Sequence, residues 1–313
     1  MVNGQAWVSF CISTFKRPEL LKQQLQLLLS QTFSNFNIVV SDNDPEASAR
    51  IICESLNDNR IKYFHNSDNL GMIKSFNKSI ERSVTDYIVM VTDDDPIEKD
   101  FLERFNKLYQ EYPGYSIYCG FIRKNHKPES VELIGKKKFI QEILDPDKTL
   151  KILWSSSIIK KSDALKVGYI PDYGSPHLAD HAFLALVGNV NGGIIINKMY
   201  SSLTSHNTNF SKSHFESYLS GCKGFYTIFS ELKHPNKQQI LNAVSKHLKA
   251  WFIGCVFNLK KYYTVSKPDS LFLNQINEFA SAILSLSFMK KFKLRFRAKE
   301  IIFQAKRKLG ILS

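Results

Sequence analysis

The sequence predicts an α/β protein whose central sheet is mainly parallel and flanked by helices, followed by a helical C-terminal appendage. The chain has 313 residues, 43% hydrophobic and 23% charged, so it can bury a sizeable core and is neither disordered nor low-complexity. Over the first 125 residues or so, short apolar runs alternate with amphipathic segments, which is typical of βαβ units. After about residue 211 the strand signals fade. We expect two parts, residues 1–211 and 212–313.

The elements of the first part are predicted from apolar runs and from residue spacing. Pro18 favours the first position of a helix, and the leucines after it recur at helical spacing. A charged, proline-containing segment, residues 124–151, is interpreted as a mobile connection. A helix is expected after Ser175 and Pro176, ending near Gly188. The predicted strands cover residues 7–13, 36–41, 61–65, 87–92, 115–123 and 154–160, and the C-terminal helices cover residues 215–232, 238–263 and 271–309.

The positive charge is concentrated near the C-terminus. The chain has 42 basic and 29 acidic residues, a net charge of +13. Residues 290–308 contain nine basic residues and one acidic residue, a net +8, which leaves +5 for the rest of the chain. This distribution favours a basic tail that meets an anionic surface, and we do not expect the protein as a whole to bind nucleic acid.

Apolar runs and cysteine usage suggest a cytoplasmic protein. The longest apolar run, residues 250–257, is far shorter than the roughly 18 residues of a membrane-spanning helix, and the N-terminus lacks the pattern of a signal peptide. The five cysteines are odd in number and widely scattered, without a CxxC pair. We expect reduced, buried thiols, with neither a disulfide framework nor a zinc site.

The densest acidic cluster is TDDDP, residues 92–96, where an apolar strand ends. Asp95, with the proline and glutamate that follow it, fits the capping box of a helix, which needs no ligand. That interpretation leaves Asp93 and Asp94 unexplained. Divalent ions such as Mg²⁺ or Mn²⁺ prefer one or two carboxylates together with phosphate oxygens and water. The spacing therefore leaves a metal site and a plain helix start as alternatives.

A second acidic cluster, SDNDP at residues 41–45, ends the second predicted strand. Asp44, directly before Pro45, is interpreted as a helix cap. Asp42 stands at the strand terminus itself. Its side chain either hydrogen-bonds a ligand or forms an Asx turn with the following backbone.

Five segments occur in a characteristic order. They are VSFCISTFKRPELLKQQLQLLLSQTFSNFNIVVSDND, NLGMIKSFN, TDDDPIEKDFL, SSSIIKKSDALKVGYIPDYGSPHLADHAFLALV and SSLTSHNTNFS. Together they resemble glycosyltransferase family 2, a group of nucleotide-sugar-dependent enzymes with the GT-A fold. The resemblance covers roughly residues 5 to 211, and the ordered series is more specific than any single motif.

The resemblance implies a nucleotide-sugar site. Asp42 would hold the nucleotide base, with Thr14 and Phe15 lining the same pocket, while Arg17 and Lys74 are candidates to meet phosphate. The side chains expected at this site are Thr14, Phe15, Arg17, Asp42, Asn69, Lys74, Asp93 and Asp94.

The resemblance also implies a bound Mn²⁺ or Mg²⁺ and a catalytic base. Asp94, with Asp93 and His206 as further candidates, would hold the ion on the donor diphosphate, although this chain has Thr92 where the family motif often begins with Asp. Asp180 would be the general base that takes a proton from the acceptor hydroxyl, giving inversion in one displacement. Its usual Glu neighbour is replaced by Ala179.

The expected function is that of an inverting, metal-dependent glycosyltransferase of the hexosyltransferase type. The donor would be a nucleotide sugar, with UDP expected, and the acceptor a glycan or lipid-linked glycan of surface polysaccharide biosynthesis. One alternative is a sugar nucleotidyltransferase, but no Gly-rich, Arg-containing phosphate loop follows the first strand. The other alternative is a non-catalytic basic module, binding membrane or nucleic acid, on a degenerate GT-A fold.

The basic tail interleaves cations with apolar residues. A helix of this composition suits an anionic membrane surface, which predicts peripheral contact through residues 289–313 at the inner face of the cell membrane. An RNA-binding patch and a helix that docks on a protein partner are the competing interpretations.

Overall fold

An eight-stranded mixed sheet forms the centre of the fold, in a computed structural model that describes residues 6–204, 210–212 and 214–311. The strands are β1 (Val8–Thr14), β2 (Phe36–Asp42), β3 (Ile61–His65), β4 (Tyr87–Val91), β5 (Ile117–Gly120), β6 (Ile122–Arg123), β7 (Val131–Ile134), β8 (Thr149–Lys151), β9 (Ser157–Lys160) and β10 (Gly193–Ile196). The helices are α1 (Pro18–Leu29), α2 (Arg50–Ser55), α3 (Met72–Arg82), α4 (Phe101–Glu111), α5 (Lys136–Leu144), α6 (Lys161–Lys166), α7 (Ala179–Asn191), α8 (Glu216–Glu231), α9 (Lys237–Lys261), α10 (Ser270–Ser285) and α11 (Lys293–Lys308).

The strand order is β3-β2-β1-β4-β9-β5-β10-β7. β1 pairs in parallel with β2 and β4, and β2 with β3, while β9 runs antiparallel between β4 and β5. β5 and β10 are parallel, and β7 closes the far edge antiparallel to β10. β6 and β8 form a separate two-stranded sheet. The predicted α/β fold with a mostly parallel sheet is confirmed.

The chain divides into two compact units. The first comprises residues 1–143, 147–172 and 179–205, and the second comprises residues 144–146, 173–178 and 206–313. The division is therefore discontinuous in sequence, and the functional boundary at residue 211 stays a prediction. In the first unit, β1, β2 and β4 are buried along almost their whole length and helices cover them. Their near-continuous apolar character is that of strands buried on both faces.

The second unit is built from α8, α9, α10 and α11. Its core is strongly aromatic: the ring of Tyr218 lies 4.8 Å from that of Phe279, and Phe215 lies 5.8 Å from the same ring. The predicted helix over residues 271–309 is interrupted. α10 ends at Ser285, a 3₁₀ helix covers Ser287–Phe292, and α11 follows.

One further local expectation is corrected. Trp154–Ser156 forms a 3₁₀ turn rather than the start of a strand, and the Trp154 ring packs 4.7 Å from that of Phe76. The helix expected after Pro176 is present as α7, and it ends at Asn191, three residues beyond Gly188. All five cysteines are free thiols, of which four are buried as expected and Cys255 is partly exposed. Within the described ranges, no helix is both long and apolar enough to cross a bilayer.

The segment 124–151 is anchored, so its interpretation as a mobile connection is wrong. It contains β7, α5 and β8. Phe139 of α5 is fully buried against two glycines, and a Cβ placed on Gly188 would lie 2.1 Å from its ring carbons. Glycine at 188 is therefore needed for the close approach of the phenylalanine ring.

Arg123 provides the second anchor of this segment. Its guanidinium, 3% exposed, donates to Glu132 Oε2 at 2.9 Å and to Glu142 Oε2 at 2.9 Å. It also donates to Thr149 Oγ1 at 2.6 Å. Lys148 Nζ lies 2.5 Å from the other oxygen of Glu142. A buried guanidinium that is satisfied by several acceptors ties β6, β7, α5 and β8 together.

We predict that Arg123→Ala lowers the free energy of unfolding by about 1.5–3 kcal/mol, because it removes the charge-assisted hydrogen bonds of a buried guanidinium to two partly buried carboxylates. Chemical denaturation of both proteins measures the difference. The matched control is Lys107→Ala, which breaks an exposed ion pair with Glu103 and should cost about 0.5 kcal/mol or less. A loss below about 1 kcal/mol for Arg123→Ala would contradict the anchoring role.

The difference in the free energy of unfolding between wild type and Arg123→Ala should become smaller as the pH falls. Burial by itself raises the pKa of Glu142, but the cations Lys148 and Arg123 outweigh it and hold the pKa below its ordinary value. A carboxyl with a lowered pKa stabilises the fold above its unfolded-state pKa and loses that contribution as the pH falls through the folded-state pKa. We therefore expect wild type and Arg123→Ala to differ less in their free energy of unfolding at pH values below the ordinary glutamate pKa.

Candidate active site

Three adjacent parallel strands end together at one edge of the sheet. Thr14, the last residue of β1, is in register with Asp42, the last residue of β2. β4 lies on the other side of β1 and leads into the acidic cluster at residues 92–95. Because ligands of parallel α/β sheets bind at the carboxyl ends of the strands, this edge is the candidate site.

A guanidinium lies between two carboxylates of the acidic cluster. Arg17 Nη1 donates to Asp93 Oδ1 at 2.7 Å and lies 3.1 Å from Asp94 Oδ2. The other oxygen of Asp93 accepts a hydrogen bond from Thr14 Oγ1 at 2.9 Å. Pro18 begins α1 directly after Arg17, and Lys16 before it has the left-handed φ of 54°. The β1–α1 loop therefore turns sharply and brings a cation to the end of β4.

The two carboxylates and the Arg17 guanidinium differ in how far each is exposed to solvent. The side chain of Asp93 is 5% exposed, and burial raises its pKa, an effect that the Arg17 charge and the Thr14 hydroxyl oppose. Asp94 is 8% exposed and Arg17 25% exposed. The cluster is thus sheltered on the Asp93 side and reaches solvent through Arg17.

Asp95 does not cap a helix, which corrects the capping-box interpretation. α4 begins only at Phe101, with Asp100 as its N-cap residue. Asp95 Oδ1 instead accepts a hydrogen bond from the backbone N–H of Thr204 at 3.1 Å. Residues 96–98 pair with residues 200–202 through backbone hydrogen bonds and a bridge between Ile97 and Ser201. The buried carboxylate therefore holds the segment that follows β10 against the acidic cluster.

Asp180 belongs to the same region of the first unit. Burial is the main cause of the raised pKa of Asp95, and the negative charges of Asp94 and Asp180 raise it further. Asp180 stands in the first turn of α7 with its side chain 31% exposed, and His181 Nε2 lies 3.8 Å from its Oδ2. A carboxylate at a helix N-terminus is stabilised by the helix dipole. The fold thus combines a sheltered cluster with a more exposed carboxylate nearby.

Asp42 is fully buried, and its carboxylate is already hydrogen-bonded. Oδ1 accepts from the N–H of Asp44 at 3.1 Å, and Oδ2 accepts from the N–H of Ala49 at 3.0 Å and from the Tyr63 hydroxyl at 2.9 Å. These bonds shape the loop between β2 and α2. Asp42 therefore organises this edge from within, and its predicted contact with a nucleotide base stays a prediction.

Asp44 does not cap a helix either, because α2 begins at Arg50. Its Oδ1 accepts from the N–H of Glu46 at 3.2 Å, which is the hydrogen bond of an Asx turn. Proline at position 45 therefore marks a turn here rather than a helix start.

Asn69 orders the loop that precedes α3. Its Oδ1 accepts from Asn43 Nδ2 at 2.7 Å and from the N–H of Gly71 at 2.9 Å, and Gly71 has a φ of 79° that suits glycine. Asn43 Oδ1 in turn accepts from the N–H of Leu70 at 2.9 Å. Asn43 was missed as a site residue although it lies between Asp42 and Asp44 in the sequence.

Two other predicted residues lie at the surface. Phe15 follows β1 with 40% of its area exposed, and the Lys16 ammonium lies 5.7 Å from its ring centroid. An exposed aromatic ring at this edge can stack on a planar ligand. Lys74 is exposed on α3. His206 lies outside the described residues.

The donor set at the acidic cluster fits a hard divalent ion held mainly by its ligand. Within the described part of the chain, no group of three or more His, Cys, Asp or Glu side chains converges as a metal cage. Both Asp93 oxygens accept hydrogen bonds, whereas Asp94, whose side chain is 8% exposed, pairs with Arg17 through Oδ2. Mg²⁺ and Mn²⁺ are bound through one or two carboxylates when phosphate oxygens and water complete the shell. Asp94 is the carboxylate best suited to that role.

Sequence comparison places almost half of the chain in a known family. Residues 9–163 match the profile of "Glycosyl transferase family 2". One relative, the Campylobacter jejuni subsp. jejuni serotype O:2 protein named GalNAc(5)-diNAcBac-PP-undecaprenol beta-1,3-glucosyltransferase, is 27% identical over 93 residues, 29% of this chain and 30% of that protein. The matches span 15% to 57% of the length of the curated relatives, less than two thirds in each case.

Comparison of structures supports the fold. S. aureus TarS 1–349, solved in complex with UDP-GlcNAc, aligns with a TM-score of 0.62 and 18% identity over 88% of this chain and 81% of that chain. The mannosyltransferase PcManGT from Pyrobaculum calidifontis, solved with GDP-Man and Mn²⁺, aligns with a TM-score of 0.60 and 13% identity over 97% of this chain and 88% of that chain. The predicted GT-A-like architecture is confirmed.

We predict that Tyr63→Phe lowers the free energy of unfolding by about 1–3 kcal/mol, because it removes a hydroxyl donor from a fully buried carboxylate. Urea denaturation of wild type and variant measures the change. The far-ultraviolet circular dichroism spectrum should be unchanged, since the side chain keeps its shape. A variant as stable as wild type would show that Asp42 does not depend on this bond.

Proposed function

We propose that this chain, whose residues 9–163 match glycosyl transferase family 2, transfers a sugar from a nucleoside-diphosphate sugar to a hydroxyl of a glycan or lipid-linked glycan. The observation that carries this proposal is the sheltered cluster of Asp93, Asp94 and Arg17 at the carboxyl edge of β1 and β4. A diphosphate needs a cation and hydrogen-bond donors, and this edge offers both at the place where such ligands bind.

Arg17 is the residue of this chain that meets the donor diphosphate. Its side chain is one quarter exposed and its guanidinium is held by two carboxylates, so its direction is fixed before a ligand arrives. A planar guanidinium matches two phosphate oxygens, and preorganised positive charge stabilises the negative charge that develops on a leaving diphosphate. The exposed Phe15 ring lies on the side where the base would bind, and the buried Asp42 orders the adjacent loop from beneath.

Mn²⁺ or Mg²⁺ is part of this proposal, with Asp94 as its protein ligand. When bound, the ion supplies Lewis-acid neutralisation of the leaving diphosphate. Support comes from the hydrogen bonds that already occupy both Asp93 oxygens, and from a structural neighbour that was solved with Mn²⁺. Asp93 keeps its bonds to Thr14 and Arg17 and acts by holding that guanidinium in place.

Asp180 is the proposed general base. Its carboxylate is partly exposed at the start of α7 and close enough to Asp95 to affect the pKa of that group. Asp180 accepts the proton of the acceptor hydroxyl as the oxygen bonds to the anomeric carbon. The bond from that carbon to the diphosphate breaks on the opposite face, and its electron pair leaves with the nucleoside diphosphate, which inverts the configuration.

The donor nucleotide is proposed to be a uridine nucleotide and the acceptor a glycan under assembly. The UDP-GlcNAc complex of TarS supports the first part, and the undecaprenol-linked substrate in the name of the Campylobacter relative supports the second. A lipid-linked acceptor implies that the transfer reaction takes place at the inner face of the cell membrane. A sugar nucleotidyltransferase is less consistent with the β1–α1 loop, which contains no glycine between Thr14 and Pro18.

We predict that one nucleoside diphosphate raises the thermal stability of the protein in the presence of Mn²⁺ and not with EDTA. At about 100 times the dissociation constant the gain is about 2.7 kcal/mol, a readily measured thermal shift. The panel is UDP, GDP, CDP and dTDP on wild type, Asp94→Ala and the control Asp100→Asn, an exposed acid of the same segment.

Loss of the shift in Asp94→Ala, with the shift retained in Asp100→Asn, is the expected result. If no nucleotide stabilises wild type with or without metal, the nucleotide-sugar proposal is wrong. If a nucleotide stabilises equally with EDTA, binding occurs without the ion and Arg17 is the cation that matters.

We predict that Asp180→Asn lowers kcat by about 10²- to 10⁴-fold while nucleotide binding and thermal stability stay close to wild type. The carboxamide keeps the size of the side chain but does not accept a proton. Transfer of radiolabelled sugar from the donor identified by the thermal-shift panel measures the rate. Asp172→Asn in the preceding loop is the matched control, and transfer by Asp180→Asn at the wild-type rate would contradict the assignment of the base.

A further inference from the structure

Helix α11 has two apolar faces, and one of them points away from the protein. The inner face carries Phe296 and Phe303, both buried, and their rings lie 5.2 to 5.7 Å from those of Phe252 and Phe257 on α9. These contacts account for two of the aromatic residues of the basic tail. They are part of the core of the second unit and are not available to another surface.

The outer face is an aliphatic stripe along the whole helix. Four of its residues follow at intervals of four, three and four residues, as one face of an α-helix requires, and the stripe ends at the residue that caps the helix. Its large side chains are between 56% and 78% exposed. The stripe consists of Leu294, Ala298, Ile301, Ile302, Ala305 and Leu309.

Cations border the stripe on both sides. At 100° per residue, Lys293, Arg297 and Lys308 fall along one edge and Arg295, Lys299 and Lys306 along the other, and all six are exposed. The single acidic residue of the helix, Glu300, is turned away from the stripe, where its Oε2 accepts from Lys260 Nζ at 2.6 Å. The outer face is therefore apolar along its centre and positive along both borders.

A groove adjoins the stripe. It has a volume of about 480 Å³ between α9 and α11, and Ile302 belongs to both the stripe and the groove. Phe257 lies on its apolar lining, and Lys261, Lys299 and Lys306 also line it. An apolar recess with ammonium groups along its walls suits a molecule that carries an anionic group on an apolar chain.

We propose that the outer face of α11 docks on an anionic lipid membrane, with the stripe in the boundary between headgroups and acyl chains. Lysine and arginine side chains at the borders reach outward to headgroup phosphates while their methylene stems stay beside the aliphatic residues. A nucleic acid would contact the cations but would leave the aliphatic stripe exposed. A protein partner would need an apolar groove with acidic residues along both edges. The proposal does not depend on the transfer reaction.

Co-sedimentation of the full chain with vesicles tests this proposal. Vesicles of phosphatidylcholine alone are compared with vesicles that contain phosphatidylglycerol, at low and high NaCl. The stripe variant is Leu294→Gln/Ile301→Gln. The matched control is Ile51→Gln/Leu271→Gln, two aliphatic residues of other helices that are 76% and 65% exposed. Nucleotide binding of every variant is measured alongside, so that failure here is separable from failure of the proposed reaction.

We expect binding only to the anionic vesicles, weakened by salt, and a loss of at least about tenfold in the stripe variant with no change in the control. Binding that salt abolishes but the stripe variant retains would overturn the role of the stripe. Absent binding, or equal binding to neutral vesicles, would overturn the proposal. So would a wild-type dimer in light scattering that the stripe variant dissociates, because the stripe would then join two copies of the chain.

Discussion

The candidate site depends on one constraint: carboxylates that a parallel sheet gathers at its edge must be neutralised. β4 delivers Asp93 and Asp94 to a sheltered position, and isolated negative charges are costly there. Arg17 meets this need from the neighbouring strand end, and Thr14 supplies the remaining donor to Asp93. The turn after β1, the start of α1 and the geometry of the acidic cluster all follow from that pairing. The same cation is available to an anionic ligand.

Arg123 and Arg17 each pair with two acids, but they differ in how far they are exposed to solvent. Arg123 is almost fully buried, and its acceptors hold together elements that are distant in sequence. Arg17 also bridges two acids, but one quarter of its side chain is open to solvent. A guanidinium without solvent access has no ligand to meet, whereas one at the carboxyl edge of a sheet can exchange part of its pairing for a phosphate.

In the second unit, exposure also separates two groups of apolar side chains on α11. The aromatic residues of α11 complete the core on α9, whereas its aliphatic residues are exposed between cations. Both faces have helical periodicity, so two apolar patterns overlap in the sequence of the tail. One face holds the helix in place, and the other is the exposed face that we propose to dock on a membrane.

The sequence by itself determined β1 to β4, the order of the motifs and hence the family, because these depend on local periodicity and on residues that are close in sequence. Only the tertiary structure decided what individual polar residues do. The donor to Asp95 is the N–H of Thr204, and a donor to Asp42 is the hydroxyl of Tyr63 on the next strand. Local patterns suggested helix caps at Asp44 and Asp95 and a mobile segment after Arg123. At Asp44 a local Asx turn replaces the cap. The other two expectations were wrong because a buried polar group takes the partner that the fold brings to it, and sequence spacing does not reveal that partner.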